Sequence, residues 1–493
     1  MSGAIQRSHA TETREVLRAY RVTLDPTPDQ ESMLAQHAGA ARWAFNHALA
    51  AKVDAHERWK TAVAELVAAG VPEEAARKKI KVLVPGKQVI QKALNAVKGD
   101  DRKGIDGACP WWHTVSTYAF QSAFLDADMA WKAWLDSLTG RRKGRRVGYP
   151  RFKKKGRSRD SFRLHHDVKR PTIRPATTRR LLLPRIGEVR THDSLKRLKA
   201  ALGRRSGVIQ SVTIARGGHR WYASVLVREQ MLMPAPTRAQ QAAGTVGVDL
   251  GVHSMAALST GEIIPNPRVK ARHAPALAKA SRAYARTVKG SRRREQARRR
   301  LARLHHREAT RRSTGLHHLT KRLATGWAVV AVEDLDVAGL IRSAKGTVDK
   351  PGRRVRQKSG LNRSILDVSP GEVRRQLDYK TGWYGSTIAI LDRFYPSSKT
   401  CSGCGGRKPN LTLSERVFIC TICGLSMDCD VNAAVNIARF AVASDRGETL
   451  NARGASVRPS HLQVGRPDAL MREDPPEGGP PQHSDALASS TPT

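Results

Sequence analysis

The sequence is poor in aromatic residues, in cysteine and in acid. Aromatics make up 5% of 493 residues, cysteines number six, and 43 acidic residues face 87 basic ones. So little cysteine excludes a small scaffold stapled by disulfides. No run approaches the roughly 18–20 apolar residues of a membrane span, and the opening MSGAIQRSHATETREV has no apolar stretch of the kind that heads a secretory signal. An intracellular chain with no membrane partner is expected. The shortage of acid leaves a formal net charge of +44 and a pI near 11. Solubility alone needs a net charge of only about 2–8. An excess this large is self-repelling until a polyanion neutralises it, which points to nucleic acid. With 40% hydrophobic residues, the length suits two to four domains rather than one core.

VLRAYRVTL, residues 16–24, alternates as a half-buried strand, and Thr27, Pro28 and Gln30 then supply an N-cap, a first-turn proline and a capping-box partner for a helix. Helical periodicity runs from residue 32 to about 67, with Trp43, Phe45 and Leu49 as core candidates, and returns from about 115 to 138. Residues 140–162, GRRKGRRVGYPRFKKKGRSRDSF, interleave cations with Tyr149, Phe152 and Phe162, where charge reaches phosphate and rings stack on bases. A solvated loop is the plainer alternative. Residues 161–230 are strand-rich, with turns at Arg185-Ile-Gly and Gly217-Gly218. From about 280 to 323 lies a long basic helical segment with Leu301 and Leu304 on its buried edge. From 443 onward, Pro, Gly, Ser and acid dominate, a composition expected to stay disordered.

Four of the six cysteines fall within 23 residues as Cys401-x2-Cys404 and Cys420-x2-Cys423, with Gly405 and Gly424 after each second cysteine. Two such knuckles give four thiolates that close a tetrahedral zinc site, leaving no open position, so this zinc is expected to be structural. Cys109 and Cys429 remain as ordinary thiols. Elsewhere, isolated acids end apolar strands: Asp249 in TVGVD and Glu333 in WAVVAVE, with no local base. A third opens the last helix. Asp430 shares a face with Ala434, Ile437 and Ala441, Asp428 stands outside that register, and either could be a simple N-cap. Three clustered carboxylates suit a two-metal phosphodiesterase, and oxygen-only ligands suit Mg2+.

These residues resemble the TnpB proteins of insertion sequences and the compact type V CRISPR effectors similar to them. The resemblance rests on GVDLG (247–251), VEDL (332–335), YPSSKTCSGCG (395–405) and CGLSMDCDVNAAVNIAR (423–439), in the family's order. It extends to AYRVTLDPTPDQ with Arg42 and Asn46 and to YPRFKKKGRSRDSFRL, and is weakest from about 51 to 126. It implies a multidomain α+β chain: a first wedge β segment over 1–30, a helical recognition domain over 31–160, and the rest of a β-barrel wedge over 161–240. There follow an RNase H-like, RuvC-type nuclease over 241–396 with the basic helical segment 280–323, a zinc ribbon binding target nucleic acid over 397–425, a last nuclease segment over 426–442, and the tail 443–493. It implies catalytic acids Asp249, Glu333 and Asp430, with Asp428 as alternative, holding two Mg2+ ions, and one structural Zn2+ on Cys401, Cys404, Cys420 and Cys423. Relatives often carry arginine where Cys429 stands. Guide RNA and target double-stranded DNA are the implied partners, with contacts expected from Arg145, Arg146, Tyr149, Arg151, Phe152, Lys153, Lys154, Lys155, Arg292, Arg293, Arg299 and Arg300.

The implied activity is RNA-guided cleavage of DNA beside a short recognised motif, base pairing supplying the sequence choice, in a prokaryotic cytoplasm and acting at the nucleoid; monomer and dimer both stay open, the monomer favoured. A nuclease-inactive guided silencer is the main rival, and the three acids argue against it. A strand transposase lacks a tyrosine or serine recombination motif here, and a guide-free zinc-ribbon regulator leaves the acids unexplained. Transposon-borne and CRISPR-borne origins both stay open, the first favoured.

Overall fold

Thr27 starts the longest helix. Its hydroxyl accepts from the Gln30 amide while the Gln30 side chain accepts from the Thr27 amide, and Pro28 occupies the first turn. The computed structural model describes residues 12–445 apart from positions 143, 145, 168, 170, 205 and 413, so the expected tail lies outside the described residues from 446 onward. The chain divides into two compact units, residues 15–231 and, among the described residues, 12–14 with 232–445. Both mix helix and sheet.

In the first unit, strand β1 (Glu12–Asp25) leads into α1 (Pro28–Ala68), then α2 (Glu73–Lys79), α3 (Lys87–Val97) and α4 (Thr117–Leu138). Leu34, Ala38, Ala41, Phe45, Ala48 and Leu49 fall at helical spacing on one face of α1 and are buried, as are Phe120, Phe124, Ala127, Trp131 and Trp134 of α4. Each large side chain so buried contributes roughly 1.5–3 kcal/mol. There follow β2 (Ser161–His165), β3 (Arg174–Pro175), β4 (Arg180–Leu183), β5 (Gly187–Thr191), α5 (Lys196–Arg204), β6 (Val208–Gly217) and β7 (Arg220–Met233). They form one sheet of order β2-β6-β7-β1-β5-β4-β3, in which β1 joins strands from after residue 161. Its terminal strands β2 and β3 pair only with β6 and β4 among the described residues, so the pairing is that of an open sheet. The two expected turns are present, with positive φ at Arg185, Gly187 and Gly218. Helices and sheet share one hydrophobic core, Phe124 and Leu34 with Leu164 and Val212.

The second unit opens with α6 (Arg238–Ala243), β8 (Thr245–Asp249), β9 (Ser254–Leu258), β10 (Ile263–Pro265), α7 (Val269–Ala285) and α8 (Arg292–Gly326). Then come β11 (Val329–Glu333), α9 (Val337–Leu340), α10 (Val355–Val368), α11 (Pro370–Tyr384) and β12 (Thr387–Leu391). Strands β13 (Val417–Ile419) and β14 (Ser426–Asp428) form a small ribbon before α12 (Cys429–Asp445). The main sheet runs β10-β9-β8-β11-β12, with β9 antiparallel to both its neighbours and the other four strands running one way. Alternation along its strands separates two faces. Val246, Val248, Val330 and Val332 pack with Leu316, Leu319, Leu323, Val373 and Leu377 of α8 and α11. Gly247 and Ala331 face α12 instead, Ala331 against Ile437 and Ala441.

The basic segment expected as one helix from 280 to 323 is two. It breaks between Ala285 and Arg292, where Gly290 has φ 89° and the Ser291 hydroxyl caps α8. Leu301 and Leu304 are only half-buried; the buried edge lies further on, at Leu316, Leu319 and Leu323, where α8 meets the sheet. Among the described residues no helix is long and apolar enough to cross a membrane.

Candidate active site and cysteine cluster

Val248 pairs with Val332 in parallel register, so Asp249 and Glu333, each the next residue, leave the sheet side by side at the ends of adjacent strands. Asp430 arrives from the first turn of α12, which lies so close over β8 that a Cβ on Gly247 would overlap the α12 backbone. Its Oδ2 accepts from the Ser254 hydroxyl at 3.1 Å. Glu333 accepts from the buried Ser397 hydroxyl in a short contact. Burial first, then repulsion from Glu333, Asp430 and Asp428, pushes Asp249 up to about 8. Among the described residues no cation lowers it, and Arg374 and Arg393 are both paired with Asp334, the residue after Glu333. Half-buried carboxylates that repel one another and lack a base are what a hard divalent cation satisfies. These acids are spread wider than a single-ion cage, since they do not all come within 4.8 Å of one another.

The structure separates the two aspartates that the sequence left open. Asp428 ends β14, and its Oδ1 accepts from the amides of Asp430 at 2.8 Å and Val431 at 3.2 Å, capping α12. Asp430 faces the other acids. Among the described residues Asp100, Asp101 and His113 also cluster, but Arg102 already holds both oxygens of Asp100.

Cys401, Cys404, Cys420 and Cys423 bring their sulfurs within 4.8 Å of one another, with Cys401–Cys423 and Cys404–Cys420 both at 3.6 Å. Sulfurs bound tetrahedrally at about 2.3 Å from zinc stand about 3.8 Å apart, so the four fit that ion without rearrangement. Gly405 and Gly424 have φ of 75° and 73°, the left-handed turn each knuckle needs after its second cysteine. The amides of Cys423 and Ile422 draw Cys420 down to about 6, whereas Cys423, despite the Leu425 amide, is held up at about 12 by its hydrogen bond with Cys404, so the sulfurs share protons that a bound metal would displace. Cys429 is buried beside the ribbon's Phe418, and Cys109 is buried in the first unit. Burial raises both thiols.

Three family profiles match the chain. One described as a probable transposase, OrfB of IS605, matches residues 224–344; a Cas12f1-like TNB domain matches 371–437; a helix-turn-helix domain of OrfB matches 16–61. A Mycobacterium tuberculosis protein named "Putative RNA-guided DNA endonuclease Rv2885c" is 35% identical over 429 residues, 86% of each chain. An Escherichia coli protein named "Putative RNA-guided DNA endonuclease InsQ" is 31% identical over 421 residues, 85% of this chain and 91% of its own. The chain belongs to the TnpB family. A Cas12f1 chain, solved by cryo-EM with sgRNA and target DNA, covers 86% of this chain at 11% identity and TM-score 0.41. In this TnpB-family chain, the segment matched as helix-turn-helix is a strand followed by a single unbroken helix.

Of the basic residues singled out from sequence, Arg146, Arg151, Lys154, Lys155, Arg292, Arg293, Arg299 and Arg300 are exposed, Arg299 pairing with Glu295 at 3.0 Å. Arg145 lies outside the described residues. Phe152 is exposed and meets no other ring among the described residues, whereas Tyr149 sets its edge against Trp134 and Trp131. Lys153 is turned inward: Asn46 brackets its backbone, its ammonium sits 3.9 Å over the Phe45 ring, and burial lowers its pKa. Phe162, grouped with the free rings in the sequence, is buried in β2 against His37, because that position alternates inward. Four side chains at the TnpB site carried no sequence signal of their own: Ser254, Ser397, Asn432 and Asn436.

Proposed function

We propose that this chain is an RNA-guided DNA endonuclease that hydrolyses target DNA at Asp249, Glu333 and Asp430. The observation that carries the reading is the convergence of these three carboxylates from two parallel strands and the last helix, with no base among them. The names of the relatives that are 35% and 31% identical support it. The strand order β10-β9-β8-β11-β12, with β9 alone running against the other four, supports an RNase H-like, RuvC-type domain over 241–396 and 426–442. We assign 397–425 to a zinc ribbon, 31–160 to a recognition domain, and 1–30 with 161–240 to a wedge.

Asp249, Glu333 and Asp430 would hold two Mg2+ ions, which would supply an activated water and stabilise the leaving 3′ oxygen. The protein's part is positional. Asp249 would serve as a ligand in its ionised form, Ser397 and Ser254 fix one oxygen each of Glu333 and Asp430, and the cysteine cluster holds the ribbon beside α12. Exposed arginines of α8 and cations of 141–159 hold guide RNA and the heteroduplex through their phosphates. The insertion-sequence relatives support a transposon-borne origin.

The test is to purify the chain from cells carrying its locus, sequence the bound RNA, and assay Mg2+-dependent cleavage of matching DNA with Asp249→Ala alongside. Guided cleavage absent from the variant supports the reading. A specific RNA with guided binding but no cleavage makes the chain a silencer, and no specific RNA overturns guidance.

A further inference from the structure

Ser397 opens a short helical turn, Ser397–Lys399, and is 2% exposed. Its hydroxyl donates to Glu333 Oε1. Its own backbone is held from α12: Asn436 Nδ2 donates to the carbonyls of Ser397 at 2.8 Å and Thr400 at 2.6 Å. One turn earlier, Asn432 Nδ2 donates to Thr400 O at 2.8 Å while its Oδ1 accepts from the Ser402 amide at 2.8 Å. Both asparagines are buried. Amides in a helix interior are costly unless paired, and these two spend their pairing on one stretch of backbone, 397–402. That stretch then enters the cysteine cluster through Cys401, whose amide donates to Gly406 O at 2.8 Å.

A glutamate carboxylate turns freely about its last torsion, where the preferred angles are broad. A hydroxyl on one oxygen removes that freedom and presents the other oxygen to a cation. We propose that Ser397 is a positioning residue for Glu333, and that residues 397–402 form a strap pinned by Asn432, Asn436 and the metal-bound Cys401, so that divalent-ion binding at the acids requires an intact cysteine cluster. The proposal rests on the acid-site reading above. It explains why a ribbon with no open coordination position stands between the second and third acids. Zinc there fixes the strap, and the strap fixes Glu333.

The experiment measures Mn2+ binding to the full-length purified chain by electron paramagnetic resonance, with zinc content by atomic emission and circular dichroism melts on the same samples. Ser397→Ala is expected to keep one zinc and melt near the parent, yet bind Mn2+ about tenfold more weakly, and Ser397→Thr, which keeps the hydroxyl, to recover most of it. Cys423→Ser, folded but without zinc, is expected to weaken Mn2+ similarly. Mn2+ affinity unchanged in Ser397→Ala but lost in Asp249→Ala overturns the positioning role alone. Affinity unchanged in both overturns the acid site, and the strap with it. A folded, zinc-free Cys423→Ser with parental Mn2+ affinity overturns the dependence on the cluster.

Discussion

A Cβ on Gly247 would lie 2.0 Å from the carbonyl oxygen of Ala434 and 2.6 Å from the amide nitrogen of Ala438. Strand β8 and helix α12 therefore meet backbone to backbone, two residues before Asp249 and one turn after Asp430. Only glycine permits this. Gly247→Ala is expected to push α12 outward, to destabilise by about 1–3 kcal/mol as overpacked cores do, and to abolish cleavage while bound RNA is retained. Calorimetry and a cleavage assay on the same preparation check it; full cleavage would contradict the tight-contact account.

The two aspartates of the last motif predict different phenotypes. Asp428 caps α12, so Asp428→Asn, which keeps an acceptor, should cost little, and Asp428→Ala about 1 kcal/mol, with part of the cleavage rate surviving. Asp430→Asn keeps the fold but is expected to reduce single-turnover cleavage at least a hundredfold. Reversal of these two outcomes would reassign the third acid.

Asp249 should write itself into the pH dependence of the metal-free chain. Its carboxyl is lifted to about 8 in the folded state and lies near 4 when unfolded. The folded form keeps a proton that the unfolded form releases. Stability from this group is complete below about pH 4, declines as pH rises, and is gone above about pH 8. Asp249→Asn, uncharged throughout, should melt with the parent at pH 4 and a few degrees above it at pH 8. Mg2+ should stabilise the parent at pH 8 and leave the variant unmoved. Parallel melting curves across pH 4–9 would argue against the lifted carboxyl.

Zinc at the four cysteines should be stoichiometric and tightly held. Structural zinc contributes on the order of 10–16 kcal/mol in small ribbon peptides. Cys404→Ser is expected to copurify with no zinc where the parent holds one ion, and to open the 401–428 ribbon to limited proteolysis while α1 and α4 stay protected. A zinc-free parent with a protected ribbon would count against the assignment.

The basic face of α8 predicts a salt signature. Arg292, Arg293 and Arg300 are exposed, so replacing all three with alanine should leave melting within about 0.5 kcal/mol of the parent per site. The slope of log affinity for RNA against log salt should fall by roughly 2, near 0.7–0.9 for each phosphate contact removed. Filter binding at four salt concentrations measures it, and an unchanged slope would remove α8 from the RNA path.

What the sequence disclosed were features written locally. Thr27, Pro28 and Gln30 cap a helix within four residues; the cysteine pairs carry their spacing and their glycines; Asp249 and Glu333 stand out because each ends an apolar strand. What it concealed is carried by contacts across long separations. Ser254 reaches Asp430 over 176 positions and Ser397 reaches Glu333 over 64, and a serine announces nothing about a partner that remote. The break in the basic segment lies between. Arginine continues across it and masks the stop, although Gly290-Ser291 is an ordinary turn followed by an N-cap. Phe162 and Lys153 were hidden by composition: a run rich in charge and rings reads as all surface, while the pleat of β2 and the clasp of Asn46 turn these two inward.

The order of the three acids along the chain has a consequence for how the protein is made. Asp249 and Glu333 emerge from the ribosome well before Asp430, which comes only with the last described helix. Translation adds roughly 5–20 residues per second, so the 97 positions between Glu333 and Asp430 take about 5–20 seconds. Throughout it the nascent chain carries two of the three proposed catalytic carboxylates, while residues 15–231, a compact unit of their own, have already left the tunnel. A message broken anywhere before codon 430 yields a protein that lacks the third acid.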